Sequence, residues 1–249
     1  MEHINRTLVA FSNLLVEQCW IKECDINPLM ASPQGVMALD ARVLLHDPAT
    51  DIETITPPAI RPYPLQYVQQ VTLKDKTPVL LRPIRLEDEP LMVRFHESLS
   101  DESVRRRYFQ LLHLRQRVDH ERLIQTCFSD FDREVALVAE RRGPNGLQEI
   151  LGVGRLSRMI GGRKAEFSML ISDRWQGRGL GFLLLEKLIN VGYAEGIHRI
   201  VGSILPDNWG MQVLCQRMGF QLKHTVDDVR LRLDLQNATI DQDEADRFF

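Results

Sequence analysis

Cysteine is scarce in this chain of 249 residues, and long apolar runs are missing altogether. Cys19, Cys24, Cys127 and Cys215 are too few for a disulfide scaffold, and no second Cys/His pair follows at zinc spacing. We therefore expect free thiols and no metal requirement. The apolar runs are short, Phe182 to Leu185 being typical, so we expect no bilayer-spanning helix and no membrane partner.

A large excess of charge of one sign is also missing, because the net charge is −3. Residues 1–60 carry eight acidic and three basic side chains, whereas residues 61–233 carry 27 basic and 21 acidic ones. The second part is mildly basic, which suits a small anionic ligand but is too weak for a nucleic-acid partner. The N-terminus has no basic segment followed by an apolar one, so we expect no signal peptide and a cytoplasmic location.

Proline marks how the chain divides. Residues 46–64 contain five of the twelve prolines and no apolar period, which predicts an extended linker. The linker separates residues 1–45 from a domain over residues 65–236, and the acidic residues 237–249 predict a disordered tail. Hydrophobic residues make up 44% of the chain, enough for a sizeable core.

Residues 1–45 predict one helix and one hairpin. Apolar residues recur at helical spacing from Ile4 to Leu15, and two strands, Trp20 to Ile26 and Val36 to Val43, flank a turn at 31–35. Because so small a unit cannot form a core of normal stability alone, we expect it to pack on the rest of the chain or on a partner.

The domain after the linker alternates strands and helices, which predicts a mixed α/β sheet with helices covering its faces. Strands are predicted at 68–73, 79–82, 134–141, 147–158, 165–172, 198–204, 220–225 and 228–235. Helices are predicted at 87–98, 102–112, 119–128, 179–195 and 208–218.

The stretch from Trp175 to Gly181 places three glycines at alternate positions between a strand and a helix. Its glycines allow a ligand to approach closely, and the first amides of the helix, together with Arg178, favour an anion such as a pyrophosphate. Phe182 replaces the third glycine of the dinucleotide fingerprint, and no Walker lysine follows. Alone, the stretch predicts either a phosphate-binding loop or a structural turn.

Three motifs in this order resemble the GNAT family of acyl-CoA-dependent N-acyltransferases over residues 68–235. The matching residues are Arg82-Pro83-Ile84-Arg85 with Asp88, Gln176 with Gly179 and Gly181, and Asn208 with Gly219-Phe220. The resemblance implies an α/β (α+β) GNAT fold whose mostly antiparallel sheet splays between the strands at 165–172 and 198–204. Acetyl-CoA, the implied cosubstrate, enters this gap with its pyrophosphate on the glycine loop. The implied cofactor-binding residues are Leu170, Ile171, Gln176, Gly177, Arg178, Gly179, Leu180, Gly181 and Asn208.

The resemblance also implies a general base at Glu166, for which the alternative is a solvated strand carboxylate. The amide of Leu170 or Ile171 is expected to polarise the thioester carbonyl. Cys215 stands where many relatives have a tyrosine that protonates the thiolate, and we favour a packing role for it over a proton donor. The helix from Ser103 to Phe109 is expected to border the acceptor groove, where its arginine triplet either binds an acidic protein surface or forms a solvated face.

Residues 23–29 and 40–42 resemble the C-terminal end of the ATP-grasp domain of NDP-forming acyl-CoA synthetases. Asn27 and Asp40 match the Mg²⁺ ligands of that family. The rest of that nucleotide site would lie upstream of this chain, so the site is incomplete and we predict no ATP binding. An ATP-grasp remnant, a proline-rich linker and a GNAT domain resemble the bacterial Pat-type protein lysine acetyltransferases, which implies either the C-terminal portion of a longer protein or a gene product shortened at its start.

The resemblance therefore predicts a protein lysine N-acetyltransferase that acts on target proteins such as acyl-CoA synthetases. Two alternatives stay open, namely a GNAT enzyme for a small-molecule amine and a non-catalytic module that senses acyl-CoA. Turnover on a panel of free amines would indicate the small-molecule enzyme. Saturable CoA binding without turnover on any amine would indicate the non-catalytic module.

Overall fold

The computed structural model describes residues 2–33, 35–51, 54–55, 61–143 and 146–235. The predicted tail at 237–249 and most of residues 52–60 of the predicted linker lie outside this set. The chain forms two compact units, Met1–Pro64 and Leu65–Phe249. Within the described ranges, no helix combines the length and apolar character needed to cross a membrane.

The part of the first unit that the structure describes contains one α-helix and four short strands. Their bounds are α1 Glu2–Glu17, β1 Ile21–Ile26, β2 Leu29–Ser32, β3 Gly35–Ala38 and β4 Ala41–Leu45. Strand β1 pairs with β4 and β2 with β3, both antiparallel. The predicted strand from Trp20 to Ile26 corresponds to β1, but the prediction of one strand from Val36 to Val43 is wrong, because this segment is divided between β3 and β4, and β2 was not predicted. The break between β1 and β2 falls at Pro28, which has no amide hydrogen to donate to a ladder.

The second unit is built on eight strands and six helices within the described residues. The strands are β5 Gln69–Thr72, β6 Pro78–Pro83, β7 Glu134–Arg142, β8 Gln148–Arg158, β9 Lys164–Ile171, β10 Arg199–Ile204, β11 Gln221–His224 and β12 Val229–Asp234. The helices are α2 Glu89–Glu97, α3 Asp101–Tyr108, α4 Leu114–Arg117, α5 His120–Cys127, α6 Leu180–Ala194 and α7 Trp209–Arg217.

These strands form one sheet in the order β5-β6-β7-β8-β9-β10-β12-β11. All neighbours are antiparallel except β9 and β10, which confirms the predicted mixed, mostly antiparallel fold class. Helix α6 and Cys215 of α7 belong to the core on one face, and α2, α3 and α5 contribute to a core on the other. Helix α3 ends earlier than predicted, because Phe109 adopts a left-handed cap with φ of 61°.

The parallel pairing of β9 with β10 is short. It runs from Arg199 opposite Lys164 to Val201 opposite Glu166 and then stops, although both strands continue. Just past the last pair the ring of Phe167 packs so close to Gly202 that a Cβ there would lie 2.8 Å from it. The sheet therefore opens between the C-terminal halves of β9 and β10, as predicted.

Two glycines of β8 bring α6 close to the sheet. A Cβ at Gly152 would lie 3.1 Å from Leu184 Cδ1, and one at Gly154 would lie 3.0 Å from Leu188 Cδ1. Leu184 and Leu188 are four residues apart, so they share one face of the helix. Helix α6 thus lies directly on β8, with its N-terminus beside the end of β9.

A buried ion cluster fixes the first part of this unit. Arg82 Nη1 and Nη2 donate to the two Asp88 carboxylate oxygens at 2.7 and 2.6 Å, and Arg82 Nε donates to Glu140 Oε2 at 2.7 Å. Burial disfavours the charged guanidinium, but these hydrogen bonds outweigh it and raise the pKa of Arg82. The cluster ties β6 to β7 and to the start of α2.

Replacing Asp88 by Asn keeps the shape of the side chain but leaves Arg82 with one carboxylate fewer. Because both groups are buried, we expect Asp88→Asn to lower the free energy of unfolding by about 3–5 kcal/mol. Urea denaturation measures the loss. The matched control Asp130→Asn breaks a 3.7 Å pair with the exposed Arg133, for which about 0–1 kcal/mol is expected. Equal losses in both variants would contradict the role of the cluster.

Candidate active site

A cavity of about 390 Å³ occupies the gap between β9 and β10. Its wall is formed by α3, β9, the loop before α6, β10 and α7. Seven of the ten predicted site residues line it: Glu166, Leu170, Ile171, Gln176, Gly177, Gly181 and Asn208. The fold therefore brings together residues that lie on separate elements of the chain.

The glycine loop forms the entrance to α6. Gly177 and Gly179 have φ of +73° and +88°, values that a residue with a Cβ rarely adopts. Gly179 is the N-cap of α6, and its carbonyl accepts from the Leu183 amide at 3.1 Å. The Leu183 amide is the first to find an acceptor within the helix, so the amides of residues 180–182 have none there. The loop thus presents several N–H donors at the positive end of the helix dipole.

Three predicted site residues do not line the cavity. Arg178 Nη1 lies 3.1 Å from Asp75 Oδ2, and its guanidinium lies 4.9 Å from the centre of the Trp175 ring. The side chain of Leu180 is fully buried in the core. Gly179 contributes through its backbone conformation alone. The ion pair with Asp75, on the turn between β5 and β6, was not predicted.

Asn208 lines the cavity from the side of α7. Its Oδ1 accepts from the Met211 amide at 3.3 Å, which makes Asn208 the N-cap of α7. Asparagine is among the preferred residues at this position, because its side chain satisfies an amide that the helix leaves unpaired. The cap fixes where this residue meets the cavity.

The edge of β9 that faces the gap can be read from its hydrogen bonds. The Ser172 amide donates to Leu151 of β8 at 2.9 Å, so the main-chain groups of Ser172 point towards β8. Since successive residues of a strand present these groups to opposite edges, those of Ile171 point towards the gap. Of the two amides predicted to polarise a thioester, this geometry favours Ile171 over Leu170.

A polar network missed by the sequence analysis holds the glycine loop against α3. The Asp173 carboxylate accepts from the Ser100 amide and hydroxyl at 2.8 and 2.7 Å and from Ser103 Oγ at 2.9 Å. Gln176 Nε2 in turn donates to Ser103 Oγ at 3.0 Å and to the Ile171 carbonyl at 3.1 Å. Ser100 is the N-cap of α3, where its hydroxyl accepts from the Ser103 amide at 3.2 Å, and Asp173 lies 73 positions further along the chain.

Glu166 is exposed on β9, and its neighbour across the cavity is Arg107 of α3. Arg107 Nη2 donates to Ser168 Oγ at 2.8 Å, and Ser168 shares a face of β9 with Glu166. Burial lowers the pKa of Arg107, an effect that the Glu166 carboxylate opposes. Helix α3 borders the cavity, and the hydrogen bond between Arg107 and Ser168 was not predicted.

Cys215 has no access to the cavity. Its side chain is fully buried in the core, and burial raises the pKa of the thiol to about 12. This agrees with the packing role that we favoured. Asn27 and Asp40, the residues that match ATP-grasp ligands, are backbone neighbours, since the Asn27 amide donates to the Asp40 carbonyl at 3.2 Å.

Residues 79–221 match the family model of the acetyltransferase (GNAT) domain, and residues 1–45 match that of an ATP-grasp domain. Because the first match covers more than half of the chain, the chain belongs to the GNAT acetyltransferase family. It is an acyl-CoA-dependent N-acetyltransferase, as predicted, and GNAT domains use acetyl-CoA as their cosubstrate.

Three known proteins illustrate the similarity. An acetyltransferase of Pseudomonas aeruginosa is 29% identical over 157 residues, which are 63% of this chain and 82% of that protein. The GNAT domain of S. lividans PAT is 31% identical, with a TM-score of 0.62, over 70% of this chain and 99% of that one. Mycobacterium smegmatis RimJ, solved in complex with CoA-disulfide, is 16% identical over 70% of this chain and 89% of that one. Its TM-score of 0.55 shows a shared fold.

The network around Asp173 predicts a pH-dependent effect on stability. Partial burial alone would raise the pKa of Asp173, but the hydrogen bonds from Ser100 and Ser103 outweigh it and lower the pKa. The stabilisation is therefore fully present above the ordinary pKa of about 3.9 and is lost as the pH falls towards the lowered value. We expect Asp173→Asn to melt below the wild type at pH 6 and to approach it near pH 2.5.

Thermal melts across this pH range measure the effect. The control Asp227→Asn, at an exposed bend, is expected to follow the wild type at every pH. A gap between wild type and Asp173→Asn that stays constant down to pH 2.5 would count against the network.

Proposed function

We propose that this enzyme transfers an acetyl group from acetyl-CoA to the ε-amine of a lysine in a target protein, with Glu166 as general base. The observation that carries the proposal is that Glu166 and the glycine loop line one cavity, in the gap between β9 and β10. A base and an anion-binding loop at opposite ends of one gap suit a long thioester whose reactive end must meet an amine.

The pyrophosphate of acetyl-CoA is assigned to the start of α6. The amides of residues 180–182 offer donors there, and the helix dipole favours negative charge. The pantetheine arm lies along the open edge of β9 and pairs with the main chain of Ile171, and Asn208 contacts the cofactor from α7. That RimJ, which shares this fold, was solved with CoA-disulfide supports this assignment.

The chemistry requires a neutral amine. A lysine with a pKa of about 10.4 is charged at pH 7, and removing its proton costs about 4.6 kcal/mol. Glu166 accepts this proton, the amine nitrogen attacks the thioester carbon, and the C–S bond breaks to release the CoA thiolate. The nitrogen loses its second proton to solvent, which leaves a neutral amide. The Ile171 amide stabilises the oxyanion formed on the carbonyl oxygen. Since the Cys215 thiol is buried, the thiolate leaves without protonation by this residue.

A protein acceptor is supported by the order of segments along the chain. An ATP-grasp match over residues 1–45 precedes the GNAT domain, and this order resembles the Pat-type protein lysine acetyltransferases. The 31% identity with the GNAT domain of S. lividans PAT points the same way. The targets we propose are proteins such as acyl-CoA synthetases.

The assignment of the pyrophosphate is tested by a valine at Gly179. The three heavy atoms nearest to a Cβ there belong to the Lys74 side chain, at 3.7 Å, so the effect comes from backbone strain at positive φ and not from a clash. We expect Gly179→Val to weaken CoA binding at least about tenfold by calorimetry, since one displaced amide costs about 1.5 kcal/mol or more.

Gly161→Val is the matched control for backbone strain. Gly161 also has positive φ, +96°, has no heavy atom within 4 Å of the added Cβ, and lies in the turn at the far end of β9. Both variants lose stability, but only Gly179→Val is expected to lose affinity. Equal CoA affinity of Gly179→Val and wild type would overturn the assignment.

The role of Glu166 is tested by Glu166→Gln, which keeps size and hydrogen bonding but cannot accept the proton. We expect kcat on a lysine peptide to fall about 10²–10⁴-fold at pH 7, with unchanged CoA affinity. Because the amine deprotonates by itself at high pH, the deficit should shrink towards pH 10. Radiolabelled acetyl transfer measures the rates.

The control Glu149→Gln removes a carboxylate of β8 that pairs with Arg141 outside the cavity, and it is expected to keep full rate. Full activity of Glu166→Gln from pH 6 to 9 would reject Glu166 as the base. Activity on polyamines or other free amines, with none on any protein or peptide, would instead favour the small-molecule alternative.

A further inference from the structure

The three consecutive arginines of α3 differ in their partners. Arg105 pairs with Glu102 at 3.0 Å and also with Asp207, and Arg106 pairs with Glu102 at 2.7 Å. Arg107 forms no ion pair with any described residue, although it is the most enclosed of the three and lines the cavity. An arginine enclosed without a hydrogen-bonded anion is unusual, because a desolvated charge is costly unless it is compensated. The Glu166 carboxylate acts on Arg107 from across the cavity and forms no ion pair with it.

The hydrogen bonds of Arg107 are also incomplete. A guanidinium has five N–H donors, and here Nη2 donates to the neutral hydroxyl of Ser168. The guanidinium also lies 5.1 Å from the centre of the Tyr108 ring, a contact that supplies no anionic oxygen to the remaining donors. Burial lowers the pKa of Arg107, as expected for a cation that lacks a close counterion. The remaining donors form a planar fork, whose best complement is a carboxylate bound through both oxygens.

The position of this fork relates it to the acceptor and not to the cofactor phosphates. Ser168 lies between Glu166 and Leu170 on one face of β9, two residues from the base. The glycine loop, which we assign to the pyrophosphate, lies beyond the other end of that segment. A molecule whose amine reaches Glu166 can therefore place a nearby carboxylate on Arg107.

We propose that Arg107 and Ser168 form a carboxylate-binding subsite, so that the preferred acceptor carries a carboxylate close to its reactive amine. This inference rests on the proposed function, because it takes Glu166 as the position of the amine. The pattern of charges is complementary, since the ammonium of the acceptor meets Glu166 and its carboxylate meets Arg107. The carboxylate has two possible sources: an aspartate or glutamate beside the acceptor lysine of a protein, or the α-carboxylate of a free amino acid.

The experiment compares two sets of acceptors with the full chain and acetyl-CoA. The first set consists of blocked peptides that have Glu, Gln or Lys next to one acceptor lysine, and the second pairs free amino acids with their carboxamides. We expect kcat/KM for the Glu peptide to exceed that for the isosteric Gln peptide about tenfold or more, as a charge-assisted hydrogen bond provides.

The variants assign this preference to a residue. Arg107→Gln is expected to bring the Glu/Gln ratio close to one, and Arg107→Lys to keep part of it, because lysine retains the charge but not the fork. Arg106→Gln is the matched control, and it is expected to keep the ratio because Arg106 is already paired with Glu102. Thermal melts and CoA affinity check that each variant folds.

The outcomes distinguish a failure of the subsite from a failure of the proposed function. Equal rates of the wild type on Glu and Gln peptides overturn the subsite but leave lysine transfer intact, and so does a preference that survives Arg107→Gln. Transfer to free amino acids alone, lost on their carboxamides and in Arg107→Gln, supports the subsite and overturns the protein acceptor. A complete lack of transfer to both sets overturns both proposals.

Discussion

The hydrogen bonds between β9 and β10 end at the pair formed by Glu166 and Val201, and the cavity depends on this early end. If the parallel ladder continued, the main-chain groups of Ile171 would be satisfied by β10 and no extended ligand could pair with them. The gap also leaves Glu166 at the point where the strands separate. One interrupted ladder therefore supplies the space, an unpaired edge and the location of the carboxylate.

An opening of this kind weakens a sheet, and the rest of the domain compensates for it on both faces. Helix α6 lies against the glycines of β8, which keeps its N-terminus next to the end of β9. On the other face the Asp173 network holds the loop before α6 against α3. Further away, the cluster around Arg82 fixes β6, β7 and the start of α2 without help from the strands that diverge.

The parts that the sequence predicted are those encoded locally. The glycine loop, its following helix and the helix that begins near Asn208 are short segments whose residue types follow from backbone conformation and unpaired amides. The fold class was also predicted from a local pattern, the alternation of strands and helices along the chain. The split of the N-terminal hairpin was missed, since a propensity for strand does not reveal where a ladder is broken.

Contacts between distant segments could not be predicted from one sequence. Asp173 and Ser100 are each ordinary polar residues until the fold brings them within 2.8 Å. The arginine triplet of α3 was noticed, but the three members cannot be distinguished until their partners are known. Arg178 was predicted to bind the cofactor from its position in the glycine loop. In the structure it pairs with Asp75 and does not line the cavity.

The side chain of Gln176 has a consequence for how the gap is filled. Its amide already donates to the Ile171 carbonyl, so it occupies one main-chain position that an incoming thioester arm requires. A ligand that pairs with β9 through the Ile171 carbonyl must first displace the Gln176 side chain. One hydrogen bond is then exchanged for another of similar strength, and the net gain at this point is small. The Gln176 side chain thus satisfies a carbonyl on the open edge of β9, which protects this unpaired strand from pairing with another chain.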